Sequence, residues 1–384
     1  MTRGRTIWID QLQPGELAAL DLGRPSQLPQ RPDVLVVGGG MLGVVTAVAC
    51  QAAGLGQVLL IEAGRLGSGA TGGAAGLVTP EPHDGTDLQP IADLGRVSLA
   101  RWLDLQASVP GGVGLIEIDW LGLDPRPGAF GGTLSPAAER LDATQVHTLI
   151  PALHPAVPGV LIRNQARVNP LRAITRLAAQ LPHKATGCPA TAVRLSNGRI
   201  ATVATPAGDI SPGAVVFATG LPPRLDGLTG PDGHPLDIPA GTVKGHLAVT
   251  EPLPLTLPGS VEMLGTQLED GSVLSGGTLD TGDSTPDVRP EVAESIRAGV
   301  AARLPSLNPV RLSHQWCCWR PRHPDGLAVI DRVPGLANAW LTSGHYRTGI
   351  MMAPAAGAAL AGWIASGGPP PGLDPWLLSQ RFSP

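Results

Sequence analysis

At 384 residues the chain can hold one large domain or two intertwined ones, and its formal net charge of −4 argues for neither nucleic acid nor an anionic membrane face as a partner. No run of about 20 uninterrupted apolar residues marks a transmembrane span. The opening MTRGRTIWIDQLQPGE lacks the apolar core and small-residue cleavage site of a signal peptide. Cys50, Cys188, Cys317 and Cys318 are too few for a disulfide framework, so a reducing cytoplasm is the expected setting.

Residues 1–32 are polar and Pro-bearing, with one apolar patch at Ile7, Trp8 and Ile9; they are expected to form an extension lying on the body of the protein. Asp33 to Val37 is a short β-branched run that ends in glycine, which predicts a buried strand. Met41 to Ala53 predicts a helix of small apolar residues stopped by Gly54, and Val58 to Glu62 a second strand. A loop dense in glycine and hydroxyls follows, GSGATGGAAGLV at 67–78. Helices are predicted over 94–106, 170–181 and 290–304, and strands with hairpin turns over 190–219. Further strands are expected at 242–250 and 272–279 as a second sheet, and at 338–342 before a glycine loop and an apolar helix. Residues 367–384 read as a Pro-rich tail over the surface.

The glycines at 38, 40 and 43 sit between the first strand and its helix, inside a βαβ unit of about 30 residues. Gly38 lets the chain turn out of the strand. Gly40 leaves room for a pyrophosphate, and Gly43 lets helix and strand pack closely. The helix start at Met41 and Leu42 offers N–H groups and a positive dipole end to phosphates. Glu62, followed by Ala63, falls at the tip of the second strand, where a carboxylate can accept both ribose hydroxyls. These features together predict dinucleotide binding.

The unit at 33–62, the loop at 67–78, VVFATG at 215–220, WRPRHPDGLAVID at 319–331 and GHYRTGIMMAPAAG at 344–357 give the chain its resemblance to the D-amino-acid oxidase family of FAD enzymes, close in motif to glycine oxidase and monomeric sarcosine oxidase. The resemblance runs from about 33 to near 365. It implies an α/β fold: an FAD-binding Rossmann-like domain with an interleaved, mostly antiparallel substrate domain. The FAD domain would comprise 33–85, 161–225 and 315–366, and the substrate domain 86–160 and 226–314. It further implies that Ser68, Ala70, Thr71, Ala75, Gly76 and Leu77 line the path from phosphates to ring, with Thr219 and Gly220 nearby. Backbone around Val193 would flank the adenine side, and Gly344, Arg347, Thr348, Gly349 and Ile350 would lie near the isoalloxazine.

Such a family oxidises a C–N bond next to a carboxylate: hydride goes to flavin N5, water hydrolyses the imine, and electrons pass to O2, giving H2O2, or to another acceptor. Arg320 matches the family's carboxylate-binding arginine, since a guanidinium fixes orientation as well as charge. His345 and Arg347 are expected to touch substrate or ring, and His246 with Lys244 to stand beneath the substrate. No histidine set has defensible metal-ligand spacing, so no metal site is expected. Two departures bear on the chemistry. Cys318 falls where sarcosine oxidases attach flavin, whereas glycine oxidases with an Arg-Pro pair bind FAD without a covalent bond. Thr278 falls where sarcosine oxidases carry an oxygen-activating lysine. The loop TSGHYRTG lacks the Gly-Asp pair of flavin monooxygenases, which argues against that activity. A flavin-binding subunit of a heteromeric amine or imino-acid dehydrogenase, or an amine oxidase for non-carboxylate substrates, remains the alternative. Oligomerisation is left open.

Overall fold

The computed structural model describes residues 4–23, 27–83, 87–124 and 138–381. Parts of the expected N-terminal extension (1–3 and 24–26), FAD domain (84–85), substrate domain (86 and 125–137) and C-terminal tail (382–384) lie outside the described residues.

Two large sheets organise the fold. The first has six strands in the order Val329–Arg332, Ala339–Ser343, Ala214–Gly220, Val34–Val37, Val58–Ile61, His183–Ala185. All neighbours are parallel except the first pair. Val34–Val37 is central and buried on both faces, which is why it reads as an unbroken apolar run instead of alternating. The helix Met41–Ala52 returns the chain from it to Val58–Ile61, the right-handed crossover that parallel strands require. Its small residues let the helix Gly349–Ser366 approach closely: a Cβ on Gly357 would meet the Thr46 backbone at 3.0 Å. Gly349–Ser366 is long and apolar enough to cross a membrane by length and composition, yet it is mostly buried in this core.

Among the described residues the second sheet has nine strands and is mostly antiparallel. It runs from Leu312–Arg322 through Gly241–Thr250, Val273–Gly276, Gly265–Gln267 and Gly259–Val261 to Leu115–Leu123, Gly159–Val168 and Leu77–Val78, with Ala138–Leu141 also on Gly159–Val168. Its one parallel pair among the described residues joins Gly259–Val261 to Leu115–Leu123. A small antiparallel sheet, Ala192–Ser196, Arg199–Thr205 and Gly208–Ile210, forms the hairpins expected over 190–219.

Two elements differ from the sequence reading. The segment before residue 33 does not merely lie on the surface: Trp8 is 1% exposed within the main core. Its indole N–H donates to the Ala74 carbonyl at 2.8 Å, and Glu16 pairs with Arg172 and Arg176 on the helix Pro170–Ala178. The helix expected over 94–106 is longer, Gln89–Ser108, because Pro90 fits the first turn and no glycine cap intervenes before Gly111.

Candidate functional site

The parallel strands end at one edge of the six-stranded sheet, and the loops leaving those ends line a cleft of about 460 Å3. That is where open α/β sheets bind ligands. After Val34–Val37 come Gly38, Gly40, Met41 and Leu42. After Val58–Ile61 come Glu62, Ala63, Ser68, Ala70 and Thr71. After Ala214–Gly220 comes the run Leu221–Leu225, and after Ala339–Ser343 come His345, Tyr346, Arg347, Gly349 and Ile350.

The glycines act as steric arithmetic predicts. Gly38 has φ +119°, and a Cβ there would stand 2.4 Å from the Ala218 carbonyl oxygen. A Cβ on Gly43 would stand 1.8 Å from the Gly38 carbonyl oxygen, so helix and strand touch backbone to backbone. Gly40 differs: it is the helix N-cap, lines the cleft, and its nearest obstacle would be Thr71 Oγ1 at 3.2 Å. Thr71 Oγ1 in turn accepts the Met41 N–H at 3.0 Å, tying the glycine loop to the helix start. Glu62 is held at the strand tip by the N–H of Gly39 (2.6 Å, Oε2) and of Gly64 (2.7 Å, Oε1). Each carboxylate oxygen keeps a lone pair for a ribose hydroxyl. A helix N-terminus with no side chain in front of it, and a fixed carboxylate beyond it, fit a dinucleotide such as FAD.

A second cavity, of about 590 Å3, opens under the nine-stranded sheet. The two cavities share Ala70, Ala74, Tyr346, Arg347 and Ile350, so they adjoin along a common wall. The glycine loop between them is fixed from two sides: Trp8 donates to Ala74 O, and Trp316 Nε1 donates to Gly73 O at 3.0 Å. Cys318 and Arg320, alternate residues of Leu312–Arg322, both face the second cavity. The Cys318 thiol lies 3.4 Å from Gly73 O, and burial pushes its pKa up. Arg320 Nη1 donates to the Thr278 carbonyl at 2.8 Å, and among the described residues the guanidinium makes no ion pair.

His345 is 5% exposed. Its Nε2 lies 2.7 Å from Thr342 Oγ1, while Nδ1 is buried without a partner among the described residues. Burial pushes this imidazole down to about 3, helped by the nearby His323, so it is neutral at ordinary pH. Arg347 lines both cavities but is paired: its Nη2 reaches both oxygens of Asp87, at 3.0 and 2.9 Å, and Asp87 also meets His83 Nδ1 at 2.6 Å.

The remaining expected residues are distributed as follows. Thr219 and Gly220 line the cleft. Ala75, Gly76, Leu77 and Thr348 line the second cavity instead of the cleft. Gly344 stands behind the wall, where a Cβ would run into the His323 ring at 2.1 Å. Val193 lines neither cavity; it is buried in the strand Ala192–Ser196, and the turn Cys188–Ala190 lines the cleft in its stead. That turn follows the parallel strand His183–Ala185, a position the sequence reading did not use. His246 and Lys244 line neither cavity. They lie on the opposite face of the strand Gly241–Thr250 from Gly245, against Asp280 and Asp283. The described residues hold no cluster of three or more metal-ligating side chains.

A family model described as FAD dependent oxidoreductase matches residues 33–363. Glycine oxidase of Pseudomonas aeruginosa is 32% identical over 375 aligned residues, 89% of this chain and 96% of that protein. Glycine oxidase of Pseudomonas putida is 29% identical over 84% of this chain and 91% of that protein. The crystal structure of glycine oxidase from Geobacillus kaustophilus superposes with a TM-score of 0.79 at 22% identity, over 92% of this chain and 100% of that one. The chain belongs to the FAD dependent oxidoreductase family, and it is an FAD-dependent oxidoreductase with a Rossmann-like cofactor fold.

Proposed function

We propose that this oxidoreductase converts the C–N bond of a small amino acid or secondary amine to an imine, which water hydrolyses. The observation that carries the reading is Arg320: a half-buried guanidinium with no carboxylate partner among the described residues, facing a cavity that meets the cofactor cleft. An arginine so placed asks for an anion, and it grips a carboxylate through two parallel bonds. FAD, when bound, supplies the two-electron acceptor for the hydride leaving the carbon next to nitrogen. The fingerprint residues and Glu62 would hold its phosphates and ribose, and the shared wall at Ala70, Ala74, Tyr346 and Ile350 would adjoin its ring.

The protein's own part is orientation. Arg320 fixes the carboxylate, which leaves the amine and its carbon the freedom of one rotation about the bond to that anchor. The apolar side of the cavity, at Leu247, Leu274 and Ile296, limits water around the reacting carbon. The buried neutral His345 brings a polar atom to the cleft without adding charge beside it.

The same reading divides the chain into an FAD lobe (33–85, 161–225 and 315–366) and a substrate lobe (86–160 and 226–314). The electron acceptor is O2 or a second carrier. Glycine, sarcosine and D-alanine added anaerobically should bleach the flavin absorbance of the loaded protein. Peroxide release on readmitting air, measured beside dye reduction, then identifies the acceptor. A flavin that none of these substrates bleaches contradicts the reading.

A further inference from the structure

Lys244 and His246 line neither cavity, yet they flank Gly245, the residue over which the Arg320 guanidinium lies. The strand Gly241–Thr250 pairs antiparallel with Leu312–Arg322, placing Val243 opposite Arg320, Lys244 opposite Trp319, Gly245 opposite Cys318 and His246 opposite Cys317. Side chains alternate along a strand, so Gly245, Cys318 and Arg320 share the cavity face, and Lys244, His246, Cys317 and Trp319 share the other.

From the edge of the strand onto that other face runs the segment 277–289. It forms neither helix nor strand of its own, apart from an isolated bridge at Asp280. Most of its bonds to the rest of the chain go to two residues, beside a contact of the Cys317 thiol with the Asp287 carbonyl at 3.6 Å. The Lys244 ammonium uses all three donors: Asp283 Oδ2 at 3.0 Å, Thr285 Oγ1 at 3.0 Å and the Asp287 carbonyl at 2.8 Å. His246 Nδ1 lies 2.6 Å from Asp280 Oδ2, and its Nε2 accepts the Arg289 N–H at 3.0 Å. Because Nε2 accepts, the ring is neutral and Nδ1 carries the proton given to Asp280. Asp280 also accepts from Thr278 Oγ1 at 3.0 Å, and Thr278 Oγ1 accepts the His246 N–H at 2.8 Å. Thr278 is therefore held by both bonds of its hydroxyl and by its N–H on the His246 carbonyl at 3.3 Å, and its own carbonyl accepts the hydrogen bond from Arg320 Nη1.

We propose that His246 and Lys244 are positioning residues: through Asp280 and Asp283 they fix the 277–289 segment, and so aim the Arg320 guanidinium by way of the Thr278 carbonyl. Lys244 anchors the segment's far half, and His246 anchors the half that carries Thr278. A misplacement of about 1 Å in an orienting group is enough to cost catalysis heavily. The expected consequence is selective. Substrates that use the Arg320 grip suffer; those lacking a carboxylate do not.

The proposal rests on Arg320 being the carboxylate anchor, and one experiment separates the two claims. FAD-loaded wild type, His246→Ala and His246→Gln are compared by anaerobic flavin reduction with glycine and with methylamine, and by the flavin absorbance shift on titrating acetate. In His246→Ala, KM for glycine and Kd for acetate should rise about tenfold. Its methylamine rate and FAD content should stay within twofold of wild type. His246→Gln, whose amide can both donate to Asp280 and accept from Arg289, should recover most of the loss. If His246→Ala does not yield loaded protein, Asp280→Asn is read by the same criteria. Wild type with no preference for glycine over methylamine overturns the anchor reading and this proposal with it. A wild-type preference that His246→Ala leaves intact, or an equal loss on both substrates, overturns the positioning role alone.

Discussion

Gly245 and Arg320 are shaped to each other: a Cβ on Gly245 would stand 2.2 Å from Arg320 Nη1 and 2.3 Å from the Thr278 carbonyl oxygen that holds it. The guanidinium lies across the strand Gly241–Thr250 only because that position has no side chain. Gly245→Ala should displace Arg320 without touching the cofactor cleft. We expect about a tenfold to hundredfold loss in kcat/KM for a carboxylated substrate, with flavin content unchanged. Steady-state kinetics beside the flavin-to-protein absorbance ratio checks this, and unchanged kinetics would mean that the guanidinium's place is not critical.

Two of the fingerprint glycines, Gly40 and Gly43, should fail in different ways. Gly40 faces the cleft with little around it, so Gly40→Val should fold and remain colourless. Gly43 has the Gly38 carbonyl where its Cβ would be. Gly43→Val should therefore lose stability by about 1–3 kcal/mol or more, through overpacking of helix on strand. Circular dichroism melts and flavin absorbance separate the two outcomes.

Burial of His345 makes a prediction about acid. Its folded value is about 3, below the ordinary 6.5, so the unfolded chain binds a proton that the folded chain refuses. Stability is then fully present above about 6.5 and is lost progressively as pH falls toward about 3. At pH 5 the loss from this residue is roughly 2 kcal/mol. His345→Gln should flatten the fall in denaturation midpoint between pH 6.5 and 5. His323, also pushed down by burial, should keep a residual slope. An unaltered profile in His345→Gln would show that the ring is not excluded from protonation as its surroundings require.

Cys318 adjoins the second cavity, but burial raises its pKa, and a thiol held protonated is a poor nucleophile. Acid precipitation of the loaded protein should leave the flavin in solution. Yellow colour that stays with the pellet in wild type and is lost in Cys318→Ala would show a covalent link.

The strand, glycine turn and helix of the candidate site were legible because their signals are local. Strand, glycines, helix and Glu62 lie within one short stretch, and each residue's role follows from backbone geometry that nothing distant can change. The turn Cys188–Ala190 was missed, and Val193 expected in its place, because sequence alone does not say how far past a strand end a wall extends. Lys244 and His246 were expected beneath the substrate. One residue of register decides which face of a strand a side chain takes, and the glycine between them was the signal that the open face was the cavity's. The ion pair of Arg347 with Asp87 joins residues 260 positions apart, and no local pattern announces such a contact. The docking of Trp8 into the main core belongs to the same kind: its apolar patch was visible, while its receptor, the Ala74 carbonyl, is made by folding.

The central claim is that Arg320 holds a carboxylate for oxidation next to it. The direct measurement is the anaerobic rate of flavin reduction by glycine and by methylamine, in wild type and in Arg320→Ala. Removing a two-point, charge-assisted contact costs on the order of 3 kcal/mol, at least about a hundredfold in kcat/KM. The account predicts that loss on glycine, little change on methylamine, full flavin content, and partial recovery in Arg320→Lys, whose ammonium lacks the planar fork. Equal losses on both substrates, or a wild type that prefers methylamine, would contradict it.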